Sequence, residues 1–353
     1  MRYFLLLICA LALQPLHAQL VATPMTAGRT ADGVTYFLPK TAFRIHLLVE
    51  KTTYRPGPFA RYASRYLHRS GISQEEETDY KVVRCEVTQL GVRDTSKCFS
   101  MKLKGGKSDM ADFRFSDDGV LLAVNDEPIA MKEHPAFQPA PRPQAIDPYQ
   151  FLGADVHAAS STAKMAELTV AQMEDLQEHR QQLITGEADD MPQDDRQLQR
   201  MLSEIDRQQQ ALMSLFIGTV QRDTVEHQLT ICPDKEVQRE VLFRLSRQLG
   251  LVDKDDLSGI PYYISIEDPY KTDEEKYPLA ENKKNEGLYV NVPGRIVLSV
   301  YREEHLLAAF EVSAAQFGFV ELRDGQIFKR YVTHMQLHPA TGAIVKTLVD
   351  SEK

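Results

Sequence analysis

A chain of 353 residues with 43% apolar and 26% charged side chains can bury a sizeable core and exceeds the usual size of one domain. Its formal charge of −9 disfavours nonspecific binding to nucleic acid or anionic lipid, since either needs a basic patch. No tract is biased enough to read as fibrous or disordered.

Arg2, the apolar run 3–13 and Leu16-His17-Ala18 are the three parts of a secretory signal peptide. Cleavage after Ala18 leaves Gln19 first. The run is too short to span a bilayer, so no membrane span is expected after signal removal. Cys9 lies inside the run behind Leu7-Ile8, so no lipid anchor is expected either. Three cysteines remain, Cys85, Cys98 and Cys232, and an odd count in an exported protein means a free thiol or an intermolecular bond. If 82–90 and 98–103 form a hairpin, a Cys85–Cys98 disulfide comes within reach. No Cys-x-x-Cys arrangement points to zinc or redox work.

In chain order, 33–39 reads as a strand ending at a proline. Over 43–50, Phe43, Ile45, Leu47 and Val49 alternate with polar Arg44, His46 and Glu50, the pattern of a half-buried strand. Pro58 opens a short helix at 59–67. Further strands fall at 82–90, 98–103, 112–115 and 120–124, with turns at Gly105-Gly106 and 117–119. The proline-rich stretch 134–153 can pack as neither helix nor sheet and reads as a linker.

Residues 162–218 form two amphipathic helices joined by an acidic turn. The second carries a stripe of Leu198, Met201, Leu202, Ile205, Leu212, Leu215 and Phe216, with Asp194 and Gln197 as a capping pair and Gly218 as the stop. The short connection places the helices side by side and antiparallel. Strands follow at 225–231, 241–245, 262–266, 288–292, 296–301, 306–312, 319–322, 328–337 and 343–348, with an exposed loop at 268–286. The order Gly, aromatic, apolar, Pro recurs in 33–40 and 287–294, a faint internal echo. The expected class is α+β: two mainly antiparallel β-domains with a long antiparallel helical hairpin between them. The boundaries are 1–18 (signal peptide), 19–133 (first β-domain), 134–153 (linker), 154–218 (hairpin) and 219–353 (second β-domain).

Catalytic signatures are missing: no Gly-x-Ser-x-Gly elbow, His-Glu-x-x-His, phosphate loop or dinucleotide fingerprint stands in the chain. His334 and His338 have the spacing of helical metal ligands but lie on a predicted strand, where four residues span roughly 13 Å. Asp253-Lys-Asp-Asp256 lacks the rest of a calcium loop and reads as a capped turn. Glu174 and Glu178 fall on a glutamine-rich solvated face. No cofactor and no metal ligand is expected. Arg61, Tyr62, Arg65 and Tyr66 interleave cations and aromatics as carbohydrate or acidic ligands are gripped, and are the candidate binding residues. The plainer reading packs both tyrosines on a sheet with the arginines in water.

The segments Gly33-Val-Thr-Tyr-Phe-Leu-Pro-Lys-Thr-Ala42, Val49-Glu-Lys-Thr-Thr-Tyr-Arg-Pro-Gly57 and Phe59-Ala-Arg-Tyr-Ala-Ser-Arg-Tyr-Leu67 resemble the opening of a family of exported Bacteroides-type proteins, catalogued as domain of unknown function number 4831. Lys164-Met-Ala-Glu-Leu168, Leu183-Ile-Thr-Gly-Glu-Ala-Asp-Asp-Met-Pro192, Leu249-Gly-Leu-Val-Asp-Lys-Asp-Asp-Leu-Ser-Gly259 and Val312-Ser-Ala-Ala-Gln-Phe-Gly318 extend the likeness. It covers nearly the whole mature chain. It implies a Gram-negative envelope setting, periplasmic or outer, and brings no catalytic or binding residues to carry over. The expected function is a non-catalytic envelope protein that binds or scaffolds a protein or glycan. The alternative is an unrecognised hydrolase of glycan or peptide, which needs two facing carboxylates roughly 5–10 Å apart.

Overall fold

One strand, β1 (Val34–Arg55), serves two cores, and its residue pattern shows how. The buried positions are even-numbered at first, Tyr36 and Leu38, and odd-numbered later, Phe43, Ile45, Leu47 and Val49. Strand side chains alternate between faces, so this change of parity needs an irregularity. The pairing with β2 (Glu77–Met101) slips between Phe37 and Pro39, where a residue without an N–H is tolerated. The computed structural model describes residues 34–101, 112–142, 146–271, 287–324 and 333–349. The signal segment with Ala18 and Gln19, the Gly105-Gly106 turn and most of the 268–286 loop lie outside the described residues.

In a three-stranded antiparallel sheet β1 lies between β2 and β5 (Thr219–Ile231). Its odd-numbered face packs on a five-stranded sheet of β6 (Val237–Ser246), β7 (Gly250–Val252), β8 (Ile260–Glu267), β9 (Gly287–Arg302) and β10 (His305–Asp324), ordered β10-β9-β8-β6-β7. Phe43, Ile45 and Leu47 meet Phe243, Tyr262, Ile264, Leu298 and Val300 there, a β-sandwich core. The start of β1 packs on a four-stranded sheet, β12-β11-β4-β3, made of β3 (Phe113–Phe115), β4 (Leu121–Val124), β11 (Thr333–Leu337) and β12 (Ile344–Val349). Tyr36 and Leu38 bury against Leu121, Val124, Val290 and Met335. Buried Thr41 bolts the parts together: its hydroxyl donates to Ala340 O at 2.9 Å and accepts from Ala315 N at 3.0 Å.

Helical elements fill the remainder: α1 (Ala63–Tyr66), α2 (Ala154–His157), α3 (Thr162–Thr185) and α4 (Asp195–Ile217). Ser161 caps α3, and Asp194 caps α4 by accepting from Gln197 N at 2.6 Å. An Arg180–Asp206 ion pair at 2.9 Å and a Gln209–Gln177 bond at 3.0 Å join the two long helices. Leu212, Leu215 and Phe216 are buried with Phe59, Ala63, Met173 and Val156, whereas Leu198, Leu202 and Ile205 nearer the tip are half-buried. Gly218 ends α4 with φ +76°, and a Cβ there would sit 2.3 Å from Arg55 O, so glycine alone lets the chain turn into β5. No helix among the described residues is long and apolar enough to cross a membrane.

Two expectations need correction. The stretches 82–90 and 98–103 are no hairpin: β2 runs continuously, with Gly91 opposite Thr41 in mid-strand. Gly91 is there for close approach, since a Cβ would fall 2.1 Å from Pro339 O. Cys85 and Cys98 lie opposite Leu47 and Phe37 of β1, so they stand roughly 30 Å apart along one strand and are free thiols. The proline-rich stretch also does not partition the sheets into 19–133 and 219–353. β5 pairs with β1 and β11 with β4, so two sheets draw strands from both sides of it.

The thiols make a direct check. Burial, with the Glu86 charge adding, pushes the Cys85 thiol up to about 12. Alkylation needs the thiolate, so a raised value slows it. In native protein at pH 8, Cys85 should stay unlabelled by iodoacetamide while exposed Cys232 labels first. In denaturant without reductant all three should label, and a peptide-mapped Cys85–Cys98 crosslink would contradict the fold.

Candidate binding site on the outer face of the three-stranded sheet

Because the odd residues of β1 build the core, Arg44, His46 and Leu48 stand on its other face. Pairing sets Thr88 and Glu86 of β2 opposite Arg44 and His46, and Gln228 and Glu226 of β5 opposite His46 and Leu48. An extended strap, residues 127–142, crosses this face. Pro135, Pro139 and Pro141 suit it, having no N–H to leave unsatisfied. Arg142 pairs with Asp223 of β5 at 2.7 Å, and Phe137 N donates to Glu226 Oε2 at 3.2 Å.

At the centre His46 is 4% exposed. Its Nδ1 lies 2.7 Å from Glu226 Oε1 and its Nε2 3.0 Å from Thr88 Oγ1. The strap's His134 stacks on it, with ring centroids 3.7 Å apart and planes at 29°. His134 Nε2 is 3.6 Å from Glu226 Oε1, and its Nδ1 is 3.6 Å from Glu86 Oε2. The His46 hydrogen bond holds the Glu226 carboxyl below the usual carboxylate range, aided by the Phe137 N–H and the Gln228 amide, and opposed by desolvation.

Beside this cluster opens a cleft of about 500 Å³, lined among others by Arg44, His46, Thr88, Met131, His134 and Gln228. Arg44 is half-buried and forms no ion pair with a carboxylate among the described residues. The cleft thus presents the Arg44 and Lys132 cations and amide donors beside one lining carboxylate, Glu133, which forms no ion pair with Arg44.

Residues 32–345 match the family model described as Domain of unknown function (DUF4831). The chain belongs to that family. No curated protein and no solved structure matches it. The match takes in β1, the strap, the long helices and β5, so every residue of the cluster lies inside the DUF4831 domain.

The candidates read from the sequence sit elsewhere in this DUF4831 protein. Tyr62 and Tyr66 pack against the helical cluster rather than on a sheet. Arg61 lies 4.6 Å from the Tyr62 ring and Arg65 5.2 Å from the Tyr66 ring, so each cation covers its neighbour's ring. None of the four lines the cleft. His334 hydrogen-bonds to Asn125 O, while His338 accepts from Ala340 N at 3.3 Å in the following turn. Residues 253–256 close a turn through Asp256 N and Asp253 O at 3.1 Å, and Glu174 and Glu178 are exposed.

Sequence reasoning missed His46, His134 and Glu226. His46 carried the one available signal, a polar residue on the alternate face of an apolar strand. That pattern reads as solvent-facing until a strap is known to cover it.

Proposed function

We propose that this DUF4831 protein is exported to the periplasm or outer envelope of a Gram-negative bacterium. There it binds an anionic group of a glycan or protein partner in the cleft over β1, without chemistry. The observation that carries this reading is Arg44, a half-buried guanidinium on the cleft wall with no carboxylate partner among the described residues. A desolvated guanidinium favours a carboxylate, sulfate or phosphate that meets its planar fork. His134 and Gln228 add donors at the same opening.

Thermal-shift and calorimetric titrations with uronic-acid oligosaccharides, sulfated oligosaccharides and acidic peptides test it. At least one class should raise the melting temperature of the wild type, and Arg44→Gln should weaken that binding about 10- to 100-fold. Equal binding by both proteins would place the ligand elsewhere. Native protein sequenced from its N-terminus should begin at Gln19, and a retained Met1 would contradict export.

A second reading, hydrolysis, is favoured by one geometry. Thr88 Oγ1, His46 and Glu226 stand in line at 3.0 and 2.7 Å, the order of a nucleophile, base and orienting carboxylate. Against it, His134 stacks over the would-be base and leaves it 4% exposed. Turnover of aryl ester or peptide substrates that vanishes in Thr88→Val would favour hydrolysis over simple binding.

A further inference from the structure

Each of His46, His134 and Glu226 offers one metal-ligating atom, and the three atoms lie within 4.8 Å of one another. Glu226 Oε1 is 2.7 Å from His46 Nδ1 and 3.6 Å from His134 Nε2. Two of the three ligands are hydrogen-bonded on their far side, and the third faces a carboxylate. His46 Nε2 meets Thr88 Oγ1 at 3.0 Å, His134 Nδ1 faces Glu86 Oε2 at 3.6 Å, and Glu226 Oε2 accepts from Phe137 N at 3.2 Å. Metal-binding histidines and carboxylates are held from behind in this way, which fixes the tautomer and aims the lone pair inward.

We propose that His46, His134 and Glu226 form a zinc site that clasps the strap to the three-stranded sheet. Two imidazoles and a carboxylate are the donors zinc takes with its fourth position left to water, whereas calcium and magnesium prefer all-oxygen shells. Tetrahedral zinc with bonds of about 2.0–2.1 Å sets its ligand atoms about 3.3 Å apart. The two separations to Glu226 straddle that value. The two imidazoles are stacked with centroids 3.7 Å apart, so zinc requires the His134 ring to turn about its side-chain torsions out of that stack. Zinc on His46 Nδ1 displaces the proton there to Nε2 of the same neutral ring, which then donates to Thr88 Oγ1. The ligands come from β1, the strap and β5, so one ion joins three segments distant in sequence. The inference stands without the anionic ligand proposed above.

Chelator-stripped mature protein titrated with zinc sulfate should take up one zinc per chain, and calcium or magnesium at the same concentration should not replace it. Thr88→Val, an outer-partner loss, should weaken uptake about 10- to 100-fold, and His134→Ala should weaken it more than about 100-fold. Arg44→Gln should leave zinc uptake unchanged, so this inference and the anion reading fail separately. X-ray absorption of the wild-type zinc form should show imidazole scattering with nitrogen and oxygen at about 2.0–2.1 Å. That spectrum decides the matter even if a variant melts early. No saturable uptake, uptake undiminished in a folded His134→Ala, or a sulfur shell at about 2.3 Å overturns the proposal.

Discussion

Leu212→Ala is expected to lower the stability of this protein by about 2–5 kcal/mol, and Leu202→Ala on the same helical stripe by well under half of that. Leu212 is fully buried among Phe59, Met173, Leu215 and Phe216, where α4 meets α1, α2 and α3. Its neighbours belong to several rigid elements, so the cavity collapses poorly and the lost contacts are not regained. Leu202 is half-buried toward the hairpin tip, where much of its surface already meets water. A loss of this size is a large share of the roughly 5–15 kcal/mol that holds a typical protein folded. Urea melts of the two variants check the contrast. Equal losses would mean that the helical pair is buried from end to end.

Glu226→Ala is the other change with a large expected effect, about 1–3 kcal/mol, concentrated at the strap. Its carboxylate accepts from His46 on β1, from Phe137 N on the strap and from the Gln228 amide on β5. Removing it leaves the buried His46 Nδ1 and a strap amide without partners, which costs more than a lost surface bond. Glu226→Gln keeps the shape and one acceptor oxygen, so its loss should be smaller. The wild type, Glu226→Gln and Glu226→Ala should therefore melt in descending order. An alanine variant as stable as the wild type would mean that the strap is held by its Arg142 ion pair and apolar contacts alone.

The helices were legible because helix signals are local. Asp194 with Gln197, Gly218 and the apolar stripe lie within one or two turns of what they control. The strand positions were legible for the same reason, through alternation. Pairing was not: β1 takes β5 as a partner across the whole helical region, and nothing in either strand's composition names the other. The continuity of β2 was hidden because a glycine in mid-strand such as Gly91 looks like a turn glycine until Pro339 is seen to lie against it. The candidate site depends on that missing pairing. His46 and Glu226 are separated by 180 residues, and His134 comes from a segment that reads as a linker. The Arg61–Tyr66 cluster was visible because it is local; its tyrosines pack on the helices and its exposed arginines cover their rings.

The strap should be a fixed wall of the site on the outer face of the three-stranded sheet. Hydrogen exchange followed by mass spectrometry across residues 127–142 tests it most directly. The Phe137 amide, bonded to Glu226 Oε2, should exchange slowly in the wild type and at the rate of an open chain in Glu226→Ala, while the β1 amides behind it keep their protection. A strap that exchanges at open-chain rates in the wild type would contradict the account.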